Sequence, residues 1–194
     1  MATITRESLM PLETYAKARK DFRAKVIAHK KSRTIHLGEH VTLLFEDELT
    51  IRYQVQEMLR IERIFEEEGI QSELDAYSPL VPDGGNWKAT MLVEYEDIEV
   101  RQQMLAKLIG IEDRTWVRVM GFGKIYAIAD EDLERERVDK TSAVHFLRFE
   151  LMPAMIAALQ QGAEIAMGVD HPEYKVTAEV DAISRQALLA DLHT

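Results

Sequence analysis

The chain has no cysteine among its 194 residues. That removes disulfides, thiolate-held zinc and iron–sulfur sites, and any cysteine nucleophile. It fits a reducing compartment, and the expected location is the cytoplasm. Long apolar runs are missing too. The N-terminal stretch is polar, without a signal-peptide core, and nothing approaches the ~18 apolar residues of a membrane helix. Several motifs are also absent: Glu-x-x-His, His-Glu-x-x-His, a phosphate-loop pattern, and the third glycine that Gly121-x-Gly123 would need for a dinucleotide fingerprint. The sequence names no cofactor and no metal-ligand set.

What is present is enough to build a core. Hydrophobic residues make up 46% of the chain, so disorder is excluded on composition. The charge is uneven. Residues 1–40 hold nine Lys/Arg against four acids, a net of +5, while the total is −10. A basic segment on an acidic body can bind an anion, but it can equally dock on its own body or on a second subunit. Docking is the preferred reading, with self-association expected. The body is too acidic for a broad nucleic-acid footprint, so nucleic acid is not an expected partner.

Periodicity supplies the elements. Leu12, Tyr15, Phe22 and Val26 form one stripe, which predicts a helix over 12–32. A strand is expected over 40–46, followed by an Asp47-capped helix over 48–68 that stops at Gly69. Its stripe is Ile51, Val55, Met58, Leu59 and Phe65, with Tyr53 and Ile64 almost opposite. Such a two-sided helix belongs between layers or subunits. Glu62 falls inside the stripe. Residues 78–86, rich in Pro and Gly, read as a loop and a candidate seam. Strands are expected over 87–95, 116–120, 124–129, 142–151, 164–169 and 174–180. Short helices are expected after Asp97, Pro153 and Asp181, and 130–138 is acidic and at most a short helix. This order predicts an α+β fold in a single domain over 1–194. A mostly antiparallel sheet carries two long helices (12–32 and 48–68), with 1–36 a basic helical arm.

Three runs carry a resemblance: residues 43–64 (LLFEDELTIRYQVQEMLRIERI), residues 142–151 (SAVHFLRFEL) and residues 168–174 (GVDHPEY). Together they resemble the uncharacterised bacterial family known as domain of unknown function 3501, over nearly the whole chain. The resemblance implies a genomic setting beside a rubrerythrin-like di-iron protein and an iron–sulfur oxidoreductase. It therefore implies those proteins as partners and a role near peroxide handling or electron transfer.

Four clusters could carry chemistry. Alternation on 142–151 puts His145 with Leu147, Phe149 and Leu151 on one face, and Arg148 with Glu150 on the other. His145 reads as a satisfied core histidine or as a ligand or proton-transfer residue. The turn at Asp170, His171, Pro172 and Glu173 is an ordinary turn or a metal or proton site, and His145 could meet His171 if their strands are neighbours. On the second helix, Arg52, Tyr53, Gln56, Glu57 and Arg60 form a polar stripe, either laced by ion pairs or lining a pocket with Arg52 and Arg60 as clamps on an anion. His36 and His40 flank Gly38, which argues for a loop. The first functional reading is an accessory or binding protein that docks through the two long helices. The alternative is an enzyme or small-molecule binder with a site near His145 and His171.

Overall fold

A computed structural model describes residues 4–131 and 139–193. Nine strands form two antiparallel sheets rather than the single sheet expected. The first has the order β1 (Thr34–Leu37), β2 (Val41–Phe45), β3 (Asn86–Val93), β7 (Val144–Glu150), β6 (Ile128–Ala129). The second has the order β5 (Ile125–Tyr126), β4 (Thr115–Val119), β8 (Ile165–His171), β9 (Tyr174–Glu179). The expected strand over 124–129 is where the chain changes sheets. Ile125 pairs with Val117 in one sheet, and Ile128 pairs with Arg148 in the other.

Period-two alternation decides what each strand buries. Val41, Leu43 and Phe45 face the core with Trp87, Ala89, Met91, Leu147 and Phe149 from the first sheet, and Val117, Val119, Ile165, Met167 and Val169 from the second. Helices α4 (Ile98–Lys107) and α5 (Pro153–Gln160) add Leu105, Met155, Ile156 and Leu159 to this core, and α6 (Ala182–Leu189) adds Leu188. Strand β8 is buried on both faces. A Cβ at Gly168 would sit 2.5 Å from the Trp116 ring, so glycine there makes room for the indole.

A separate apolar cluster lies in the helical layer. It joins Ile51, Val55 and Leu59 of α2 (Glu48–Glu62) to Ile70 and Leu74 of α3 (Glu67–Tyr77) and to Ile4, Leu9 and Val81. The helix expected over 48–68 is two helices. Asp47 caps the first as foreseen, its carboxylate accepting from Thr50 N–H. Arg63 then adopts a left-handed conformation at φ 57° and closes α2, with Ile64 N–H reaching back to Leu59 C=O at 3.0 Å. Gly69 lies inside α3, where a Cβ would come within 2.6 Å of the Ile64 side chain. Phe65 and Glu62, placed in the buried stripe by periodicity, are both exposed because the helix has already ended or is fraying there. From residue 132 to 138, the acidic stretch expected at 130–138 lies outside the described residues.

The basic helix α1 (Leu12–Lys31) packs on α2. Tyr15 and Val26 are fully buried, and Phe22 stacks edge-on against Tyr15 and tilted against Tyr53. Its apolar stripe therefore covers the chain's own body. No helix among the described residues is long and apolar enough to cross a membrane.

Candidate functional site

The polar stripe of α2 serves the α1–α2 interface. Glu57 accepts from Tyr15 OH at 2.7 Å, and from Arg19 through both oxygens at 2.8 and 2.9 Å. Arg60 adds contacts at 3.2 and 3.3 Å. The Arg19 hydrogen bonds hold the Glu57 carboxyl at about 2, well below the usual range. Gln56 is buried and bonds both backbone groups of Met10. Arg52 lies in ion-pair contact with Glu48 at 3.1 Å and over the Phe22 ring. Tyr53 packs against Phe22 and under Lys30. Arg52 and Arg60, expected as clamps on an anionic ligand, are therefore occupied by Glu48 and Glu57. None of Arg52, Tyr53, Gln56 and Arg60 lines either cavity over the first sheet.

His145 and His171 are on different sheets and have different partners. His171 Nδ1 accepts from Glu173 N–H at 3.2 Å, so its proton sits on Nε2, which donates to Ile109 C=O at 3.0 Å. It is a satisfied core histidine. Asp170 points to the outer face of the second sheet, where it accepts from Lys124 Nζ at 2.7 Å and Tyr126 OH at 2.8 Å. The Lys124 hydrogen bond is the main reason its carboxyl is lowered.

His145 is fully buried and held from both sides. Nδ1 lies 2.6 Å from Asp130 Oδ2. Nε2 lies 2.9 Å from Thr141 Oγ1 and 3.0 Å from Ser142 C=O, and Thr141 Oγ1 donates on to Glu112 at 3.3 Å. Asp130 takes φ 48°, which lets its N–H and carboxylate both bond the Phe146 backbone while the carboxylate also reaches the imidazole. Glu112, Asp130 and His145 place ligand atoms within 4.8 Å of one another and form the one such group among the described residues. The two carboxylates approach opposite ring nitrogens, however, and a metal ion could take only one nitrogen. Acceptors on both sides suit a hydrogen-bonded clamp better than a chelate. Its acidic neighbours Asp130 and Glu112 lie 15 and 33 positions away in sequence, so strand alternation could not reveal them.

The concave site lies on the opposite, outer face of the first sheet, under α3 and the turn at Ser78–Leu80. Here the register sets side chains in rows. Glu46 N–H bonds Lys88 C=O, Lys88 pairs with Arg148, and Arg148 pairs with Ile128. The next row is Leu44, Thr90 and Phe146. A cavity of about 340 Å³ sits over the first row, lined by Glu46, Lys88, Arg148, Glu131, Leu80 and, from α3, Asp75, among others. A second, of about 250 Å³, continues over Leu44, Thr90, Phe146 and Val144, and shares Glu46, Leu80 and Phe146 with the first.

The charges along this cleft are unequal in their pairing. Arg148 is gripped by Glu131 through two bonds at 2.8 and 2.9 Å and by Glu150, as expected of the Arg148–Glu150 pair. Glu46 uses its two oxygens on the hydroxyls of Thr50 at 2.5 Å and Thr90 at 2.6 Å. Lys88 is left with one acceptor, the Pro79 C=O at 2.5 Å, and no ion pair to a described carboxylate. Burial is the main cause that pushes its ammonium below the usual range, with Arg148 adding to it and the carboxylates of Asp83, Glu131 and Glu150 opposing it.

A larger cavity of about 410 Å³ near the C-terminus contrasts with this. There the buried Arg33 bonds Asp191, lies 3.5 Å from Asp47, and donates to the carbonyls of Phe45, Glu46 and Ala187. His29 completes the set at 2.5 Å from Asp47. Burial raises the Asp191 carboxyl to about 6. Every charge in that network has a partner.

Sequence reasoning missed Lys88, Glu46, Thr50, Thr90 and Glu131. Alternation around Trp87, Ala89 and Met91 did put Lys88 and Thr90 on a polar strand face. The roof over that face comes from α3, which the expected helix over 48–68 had absorbed in part.

Two antiparallel sheets sharing one core, with a helical layer over the first sheet, define an α+β protein with a cleft between sheet and helices. The family described as "Protein of unknown function (DUF3501)" matches residues 3–192, and the chain belongs to it. A crystal structure described as a novel protein of unknown function from Burkholderia pseudomallei K96243 is 57% identical, with a TM-score of 0.94. That similarity covers 98% of this chain and 100% of the other. No curated protein matches the chain.

Proposed function

We propose that the protein binds a small anionic molecule in the cleft over the outer face of the first sheet, with Lys88 pairing the anion. One observation carries this reading: the half-buried Lys88 ammonium, in register with Arg148, has its hydrogen bonding end at a single carbonyl, whereas Arg148 is held by Glu131 and Glu150. An ammonium with donors to spare in a concave site gains from an added counter-ion. An anion seated beside Lys88 supplies one. The cleft's volume falls in the range of small-molecule sites, and its walls combine apolar side chains with the charges of Glu46, Asp75, Lys88, Glu131 and Arg148.

The accessory role implied by the family's gene setting would on this reading be exercised through a bound ligand. The apolar stripes of α1 and α2 are already covered within the chain. The test is calorimetric titration of the full chain with small carboxylates. Binding by the unaltered protein, and binding at least tenfold weaker in Lys88→Met, is the expected result. Equal binding by both proteins, or none by either, contradicts it.

A further inference from the structure

We infer that the protein pairs with a second copy of itself through the free edge of β9, forming one continuous sheet across a two-fold axis at Thr177. Strand β9 ends the second sheet. In an antiparallel ladder, residues alternate between exchanging hydrogen bonds with the neighbouring strand and turning their backbone groups away from it. Val180 N–H bonds Ile165 C=O, so Ala178, Val176 and Tyr174 turn theirs toward β8 in the same register. Lys175, Thr177 and Glu179 therefore present N–H and C=O at the edge. Among the described residues no backbone group bonds them there. The other edges are shorter: β5 and β6 have two residues each and β1 has four, against six in β9. Shortness, proline, a bulge or unbalanced charge keeps an edge from pairing, and β9 has none of these.

Charge selects the occupant. Lys175 and Glu179 stand equally far to either side of Thr177 and are exposed on the same face of the strand. When a second β9 is laid antiparallel with the two Thr177 residues opposite each other, each Lys175 meets Glu179 of the partner subunit, twice by symmetry. Within the chain the acid opposite Lys175 is Asp170, which is already bound by Lys124 and Tyr126. The same register sets Val176 against Ala178 of the partner subunit on the inner face. Both are half-buried there beside Tyr174 and Val180, and pairing completes their cover. Slipping one strand by two residues keeps the faces but loses the match. One way it sets Glu173 against Glu179. The other way it carries Lys175 past the strand to Asp181, whose carboxylate already caps α6. An acidic or a basic peptide satisfies only one of the two charges, so a second copy fits best.

Sedimentation velocity of the full chain over a concentration series tests this. The unaltered protein should pass reversibly from monomer to dimer and no further, because a two-fold interface closes on itself. Glu179→Lys should weaken the dimer about tenfold or more, since both cross-strand pairs become repulsive. Thr177→Pro should abolish it with the fold intact by circular dichroism, because the lost N–H faces the free edge. Lys175→Glu should weaken it as Glu179→Lys does. An equimolar mixture of these two charge variants should restore the dimer, because both mixed pairs are again opposite in sign. A monomer at every concentration would overturn the inference. So would a dimer that survives both Glu179→Lys and Thr177→Pro undiminished, which would put the interface elsewhere.

Discussion

The α1–α2 interface and the cleft over the first sheet are both rich in charge, yet they differ in how that charge is satisfied. At the interface Glu57 meets Arg19, Arg60 and Tyr15, and Gln56 meets the Met10 backbone. Every polar group of Glu57 and Gln56 named here has a partner within the chain. In the cleft Glu46 and Arg148 are satisfied, and Lys88 is not. A saturated network fixes one helix on another. An unsaturated ammonium in a concave site leaves free energy to be gained from a ligand. On the proposed reading, incomplete pairing in a cavity marks the site, and charge as such does not.

Breaking the saturated side should have the largest effect. Glu57→Ala strands two guanidinium groups and a buried phenol, and should cost about 2–4 kcal/mol in urea unfolding. Ligand affinity in the cleft should be unchanged, because Glu57 does not line it. On the unsaturated side, Lys88→Met should show the reverse pattern. Binding should fall by at least tenfold, while stability moves by no more than about 1 kcal/mol, since a desolvated charge is exchanged for an apolar chain of similar length.

Acid should separate the two regions further. The Glu57 carboxyl is depressed to about 2 in the folded chain from an ordinary 4.5. Its contribution to stability is complete above the unfolded value and is lost as pH falls from there through the folded value. Unfolding measured down that window should steepen in the unaltered protein relative to Glu57→Gln. The smallest effect is expected at Arg52→Ala. Its pair with Glu48 is an i, i+4 contact on a helix surface, and its removal should cost about 0.3–0.5 kcal/mol by the same denaturation measurement.

How much of this was legible in the sequence differs by element. The alternation over 87–95 was enough to expect a strand there, and the β7 alternation separated His145 from Arg148. The capping of α2 by Asp47 was legible because the signal is local. Its end was not, since Arg63 rather than a glycine takes the left-handed position, and Gly69 has a packing role inside the next helix. The two-sheet architecture depends on the crossover at Ala127, where four strand residues look like one continuous strand. The cleft was hidden for a further reason. A polar strand face reads the same whether solvent or a helix lies above it, and only the folded chain shows that α3 roofs Lys88.

The most direct test of the central claim is site-resolved NMR of the lysine side-chain Cε and Nζ signals during titration with a small carboxylate such as butyrate. The account predicts that the Lys88 signals shift and saturate with the ligand, while those of Lys25, on the exposed face of α1, stay in place. Unmoved Lys88 signals at saturating ligand, or equal shifts at all lysines, would contradict it.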